Sequence, residues 1–192
     1  MDLIGSTQIQ GRATLVGNLC NGSPAADSVP ALMAAGATVT IVNASGDREI
    51  GVDKIPQSPG KTNLEKGDVV SAINLPARHS NSGDAYLRLI PRTEMDIAVV
   101  GCGINLSVED DQVSEARVSL GAVTPTVVLV EDAAKAIIGT KLDDQALEAL
   151  AKAARKACNP ISDKRGTIEY RTHIAGVLAK RAAKIAYKRA RT

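Results

Sequence analysis

The order of the hydrophobic patterns constrains this chain most: strand-like segments come mainly first and helix-like segments last, with little alternation. Short Val- and Ile-bearing runs read as strands at 12–18 ("RATLVGN"), 37–42 ("ATVTIV"), 48–55 ("REIGVDKI") and 69–76 ("VVSAINLP"). The second and third pair back across a turn at Ser45-Gly46, and the fourth ends at Pro76. One helix falls among them at 23–36, with Asp27 or Ser28 as N-cap, Pro30 in its first turn and Gly36 as its stop. The segment 57–68 is loop by its Pro, Gly and Asn content. After a polar junction at 77–84 ("ARHSNSGD"), three strands follow in series from Ala85, Asp96 and Ser114, the last two joined by a hairpin turn at 109–112. Three helical segments complete the chain: 130–139, closed by Gly139; 143–158, opened by an Asp cap; and 167–190, where Ile168, Ile174, Val177, Leu178 and Ile185 recur near a helical period. A doubly wound parallel sheet needs strands and helices in alternation, so the pattern predicts an α+β fold. The junction divides the chain into two expected units, 1–80 and 81–192, the second a three-stranded antiparallel sheet with a helical bundle layer.

The core of such a fold has to be built almost without rings. The 192 residues include three Tyr, no Phe and no Trp, so packing falls to Val, Ile, Leu and Ala. The same lack removes the stacking platforms that single-strand nucleic-acid binders use. A net charge of +2 creates no field that recruits a polyanion, although from Lys164 onward Lys and Arg far outnumber acids. That basic end reads as a solvated helix whose cations complement its C-terminal dipole, and no nucleic-acid recognition motif accompanies it. Cys20, Cys102 and Cys158 lie far apart without a CxxC pair, which argues against zinc or iron–sulfur ligation within this chain. An odd number of dispersed cysteines fits reduced thiols and a cytoplasmic setting. With no signal peptide and no long apolar run, neither export nor membrane insertion is expected.

Few residues could carry chemistry by themselves. His79 lies in the polar junction and His173 inside the last helix, neither at metal-ligand spacing. No Ser-His-Asp pattern, P-loop or GxGxxG occurs, and Asp143-Asp144 reads as a helix cap rather than an acid–base pair. The stretch 12–27, "RATLVGNLCNGSPAAD", is the exception. Thr14 offers a hydroxyl, and Gly17 lets a ligand approach the backbone. Asn18 both donates and accepts, while Asp27 either caps the next helix or accepts from a ribose-like hydroxyl. A glycine-and-asparagine turn leading into a capped helix accounts for most of the same residues, so spacing leaves both readings open.

"IGSTQIQGRATLVGNLCNGSPAADSVPALMAAGATV" resembles the second half of the FAD-binding region in the flavoprotein subunit of molybdenum hydroxylases, the carbon monoxide dehydrogenase medium-subunit and xanthine dehydrogenase FAD-subunit family. Downstream, "GDAYLRLIPRTEMDIAVVGCGINL", "ARVSLGAVTPT" and "PISDKRGTIEYRTHIAGVLAKRA" resemble that family's C-terminal domain, in the right order. The resemblance implies a partial FAD-binding subdomain of antiparallel sheet plus helix at 1–80, followed by a flavoprotein C-terminal-like domain at 81–192. It also implies cofactor contacts. Thr14, Gly17 and Asn18 match a Thr-x-Gly-Gly-Asn turn that lies against the flavin and its diphosphate. Asp27 matches an Asp that contacts ribityl or ribose hydroxyls, and Val70 a strand residue packed near the isoalloxazine. Arg88 matches a basic residue at the pyrimidine edge of the ring, where a cation stabilises reduced flavin. No residue of this chain is expected to be catalytic or to hold a metal.

In the family's terms the chain is an oxidoreductase subunit. Electrons start at a molybdenum cofactor in a large subunit, cross [2Fe-2S] clusters in an iron–sulfur small subunit, and leave through FAD to an external acceptor. The molybdenum and iron–sulfur groups are thus expected only in partner subunits. Two departures stand out. Val16 occupies the first glycine position of the family's turn, where a branched side chain crowds the ligand or forces a different backbone. Family members also carry an N-terminal FAD subdomain, with its own glycine-rich loop, ahead of this stretch. The expectation is therefore an incomplete FAD site in this chain, one wall of a cleft, inactive in isolation. The alternative expectation is a non-catalytic module that binds little FAD alone and docks to partner subunits or to a second copy as a homodimer.

Overall fold

The computed structural model describes residues 3–92 and 95–192. Three short helices come first: α1 (Thr7–Gln10), α2 (Leu15–Cys20) and α3 (Ser28–Ala35). The segment 12–18, expected as a strand, runs instead into α2. Thr14 is extended at φ −124° and ψ 157°, and its hydroxyl accepts from the Gly17 amide at 2.9 Å, as an N-cap does. Leu15 and Leu19 then fall one turn apart on one side, and Leu19 is fully buried. Gly36 closes α3 in the left-handed region at φ 73°.

Beyond α3, β1 (Thr38–Asn43) pairs antiparallel with β2 (Gly46–Gly51) on one side and β5 (Val69–Asn74) on the other. The strand expected over 48–55 stops at Gly51, because 52–54 tightens into a 3₁₀ turn that buries Val52. The expected loop at 57–68 contains part of a small hairpin, β3 (Pro56–Ser58) and β4 (Lys61–Thr62). Val39, Ile41, Val52, Ile55 and Val70 form a core with Leu19, Val29, Leu32 and Met33 from α2 and α3. Val127, from far downstream, completes it, so the two halves of the chain interlock.

The second half is built on β6 (Ser82–Leu89), β7 (Val100–Glu109) and β8 (Gln112–Gly121), antiparallel in that order. β6 begins inside the segment read as junction, and β7 begins at Val100 rather than Asp96. A fourth strand, β9 (Val128–Leu129), joins the edge of β8. Two residues are too few to leave an alternation in the sequence. The helices α4 (Glu131–Lys135), α5 (Asp144–Lys156) and α6 (Ile168–Ala190) follow. Asp143 caps α5 by accepting from the Ala146 amide at 2.8 Å, and Thr167 caps α6 at 3.2 Å from the Tyr170 amide. Among the described residues no helix is long and apolar enough to cross a membrane.

Alternation splits the second sheet into two faces. Cys102, Ile104, Leu106, Val118 and Leu120 pack with Ala175, Ala179, Ala182, Ala183 and Ala186 of α6. Small side chains let that helix lie very close: a Cβ at Gly83 would stand 1.9 Å from the Ala186 carbonyl oxygen. The absence of rings is met by short distances. The other face receives α3. Ser119 Oγ donates to the Pro30 carbonyl at 2.6 Å, and Arg117 Nε to the Met33 carbonyl at 3.2 Å. Gly103 makes room for the contact, since a Cβ there would lie 2.5 Å from the same Pro30 oxygen. α3 therefore packs into the first core and onto the second sheet together, and both hold whatever it carries.

Candidate functional site: the cleft beside α3

A cleft opens along the Ala31–Ala35 side of α3. One lobe, about 360 Å³, is lined by Ile4, Leu15, Asp27, Ala31, Leu75 and Tyr86 among others. The other, about 550 Å³, continues past Ala35 to Arg78, Asp84, Asn105 and Arg117.

Asp27 is the polar centre of the smaller lobe. It stands at the N-cap position of α3, yet its carboxylate caps nothing. Asn18 takes that role, accepting at Oδ1 from the Ser28 amide at 3.1 Å and the Ser28 hydroxyl at 2.6 Å. Asp27 reaches across to β6 instead. Arg88 Nη1 donates to Oδ2 at 2.7 Å, and the Tyr86 hydroxyl donates to Oδ1 at 3.3 Å. Tyr86 and Arg88 are two residues apart on one strand and so share a face. Opposite them on β7 lie Gly103 and Gly101, and the bare Gly101 leaves space for the phenol.

The Asp27 and Arg88 side chains are only 12% and 10% exposed. Burial raises the Asp27 carboxyl above its ordinary value, while the Arg88 hydrogen bond and charge and the Tyr86 hydrogen bond oppose that rise. Burial, followed by the Asp27 charge, pushes the Tyr86 phenol upward too, so it stays a donor.

The six residues expected at a cofactor site fall in different places. Thr14 and Gly17 bond to each other at the exposed start of α2, whose Leu15 lines the cleft. Asn18 ties α2 to α3, and Asp27 meets Arg88 from 61 positions away. Val70 lines neither lobe: alternation along β5 buries it in the first core at 8% exposure and turns Val69 outward. Val16 packs against that same core, so its branched side chain is turned toward protein. Tyr86 was not anticipated as a site residue, although its place two positions before Arg88 carries the signal. Among the described residues no group of three or more His, Cys, Asp or Glu is placed to hold a metal. Burial pushes the Cys102 thiol up to about 12 and the Cys158 thiol up to about 11, which makes both inert near neutral pH.

Residues 85–186 match the family described as CO dehydrogenase flavoprotein C-terminal domain, and residues 1–78 match the FAD binding domain in molybdopterin dehydrogenase. The chain belongs to the CO dehydrogenase and xanthine dehydrogenase flavoprotein family. The carbon monoxide dehydrogenase medium chain of Afipia carboxidovorans is 34% identical over 190 residues, covering 98% of this chain and 65% of that relative. A putative xanthine dehydrogenase FAD-binding subunit of Escherichia coli is 28% identical over 179 residues, covering 93% and 61%. The solved carbon monoxide dehydrogenase from Hydrogenophaga pseudoflava, which lacks the Mo-pyranopterin moiety of the molybdenum cofactor, matches with a TM-score of 0.94 at 32% identity, over 98% of this chain and 65% of that one. This chain therefore spans less than two thirds of the length of these relatives. The α+β arrangement of antiparallel sheets and helices expected from the residue patterns is that family's fold.

The residues of the cleft suit a flavin nucleotide. Ile4, Leu15, Ala31 and Leu75 give an apolar wall, Ala31 and Ala35 keep one side of α3 flat, and Asp27 and Tyr86 supply an acceptor beside a donor, while Arg88 lines neither lobe and holds Asp27.

Proposed function

We propose that this chain is the FAD-binding portion of a molybdenum-hydroxylase flavoprotein subunit, an oxidoreductase component that stands between partner [2Fe-2S] clusters and an external electron acceptor. The observation that carries this reading is the cleft lined by Asp27 and Tyr86, with Arg88 paired to Asp27, set within an FAD-binding family frame. Bound FAD supplies the electron exchange. Asp27 accepts from its hydroxyl groups, Arg88 offers a cation to its pyrimidine edge, and the apolar wall excludes water from the ring. Thr14, Gly17 and Asn18 form the turn nearest the diphosphate, and Val70 supports the sheet behind. Residues 1–80 act as the flavin-binding unit and 81–192 as the second domain. An iron–sulfur small subunit and a molybdenum large subunit are the partners. Free thiols suit a cytoplasmic location.

The relatives extend beyond the region matched here, and full FAD affinity is expected to need that remainder of their fold. FAD fluorescence is titrated with this chain alone, and again with the unmatched third of the Afipia carboxidovorans medium chain added in trans. Weak quenching alone and tight binding together is the expected result. Tight stoichiometric binding by this chain alone refutes the incomplete site, and no binding in either arm refutes the flavin reading. A second reading, a docking or self-associating module, draws on the exposure of Leu3 at 42% and Leu75 at 65% beside the cleft. No FAD binding in either arm, with a concentration-dependent homodimer by light scattering, would favour it.

A further inference from the structure

We propose that Tyr86 is a positioning residue of this site: its hydroxyl holds the Asp27 carboxylate so that the remaining lone pairs face neighbouring hydroxyl groups of a polyol chain. Only the identity of the ligand rests on the flavin reading above. Asp27 is free for this task because Asn18 caps α3 in its place. An ionised carboxylate offers about four lone-pair sites. One donor from β6 occupies each oxygen, Arg88 at Oδ2 and Tyr86 at Oδ1, which leaves about two sites open beside the smaller lobe.

Arg88 alone would not set this geometry. A lone guanidinium tends to take both carboxylate oxygens in a fork and to consume the acceptor. The phenol on Oδ1 keeps Arg88 on Oδ2. Tyr86 itself is well placed for the role. It sits on a strand paired with β7 along its whole length, and the bare Gly101 backbone lies beside its hydroxyl, where a Cβ would come within 3.0 Å. Among the described residues the charged and titratable groups around Asp27 are few. β6 presents Asp84, Tyr86 and Arg88, α3 carries none, and α2 carries only Cys20.

The test is Tyr86→Phe, which keeps the ring and removes the hydroxyl. In the ligand-free chain, the Asp27 carboxyl is followed by ¹³C NMR titration. Loss of a donor to the ionised form should move its midpoint upward, and Arg88→Gln should move it further. With the added medium-chain remainder, FAD affinity should fall roughly tenfold while the thermal midpoint stays where it was. An unmoved Asp27 titration overturns the proposal. So does an affinity loss matched by a falling thermal midpoint, because that marks a merely structural residue. If the unsubstituted chain binds no FAD even with the added remainder, the flavin reading fails by itself, and the Asp27 titration still decides the role of Tyr86.

Discussion

Replacing Gly103 by Ala should loosen α3 from the second sheet. The new Cβ would lie 2.5 Å from the Pro30 carbonyl oxygen, 2.7 Å from Ser119 Oγ and 2.8 Å from the Pro30 carbonyl carbon. Ordinary contact begins near 3.4 Å, so the helix has to retreat by most of an ångström. Its backbone cannot swing aside as a flexible side chain does. Overpacking of this kind costs about 1–3 kcal/mol. The buried bond from Ser119 to Pro30, 2.6 Å long, is strained or lost as well, for about 1 kcal/mol more. A total of about 2–4 kcal/mol is a large share of the roughly 5–15 kcal/mol that holds a domain together. The assay is urea denaturation followed by circular dichroism. With a slope of about 2 kcal/mol per molar, the midpoint should fall by about 1–2 M. Gly101→Ala is the comparison, since its Cβ meets side-chain atoms of Tyr86 at 3.0 Å rather than backbone and should cost less. If Gly103→Ala leaves the midpoint within roughly 0.3 M of the parent, or Gly101→Ala is the worse variant, the argument that backbone proximity seats α3 is wrong.

Two further outcomes can be checked with similar measurements. Arg171 is 4% exposed and donates to the Val99 carbonyl at 2.7 Å and to Asp163 at 2.7 Å. Arg171→Met should destabilise by about 2–4 kcal/mol in urea, softened because Asp163 keeps partial access to water. Asp96 is held down to about 2, chiefly by its hydrogen bond from Arg92 and then by the Ile97 amide and Arg165, against an ordinary value of 3.8. A carboxyl lowered on folding adds stability above its unfolded value and loses it as pH falls through its folded one. The thermal midpoint should therefore drop between about pH 4 and pH 2, and Asp96→Asn should flatten that drop. Asp68, lowered mainly by its hydrogen bond from Arg48, keeps part of the slope in the variant.

Much of the fold was legible because its signals are local. The hairpins around 44–45 and 110–111, the stop at Gly36 and the Asp143 cap each depend on a few adjacent residues. Misreadings arose where two local signals competed. "RATLVGN" has strand-like composition, but the Thr14 hydroxyl and the spacing of Leu15 and Leu19 turn it into a helix. Residues 48–55 begin as a strand, yet Val52 and Ile55 are needed in the core, and a 3₁₀ turn brings them there. β9 left no readable pattern because its place is set by the edge of β8.

By itself, then, the sequence determined the antiparallel strands that run ahead of the three closing helices, a core of aliphatic and alanine side chains, and the family motifs that frame the cleft. These follow from periodicity, side-chain volume and backbone preference, which each residue carries with it. Only the tertiary structure decided what the residues of "RATLVGNLCNGSPAAD" do. Asp27 could have capped α3 or faced a ligand, and the two uses differ chiefly in which partners are near. Asn18 supplies the cap from ten positions earlier, and Tyr86 and Arg88 supply the donors from a strand about sixty positions later. A carboxylate buried at such a place settles on its nearest donors. Chain folding, and not local spacing, brought those donors within reach.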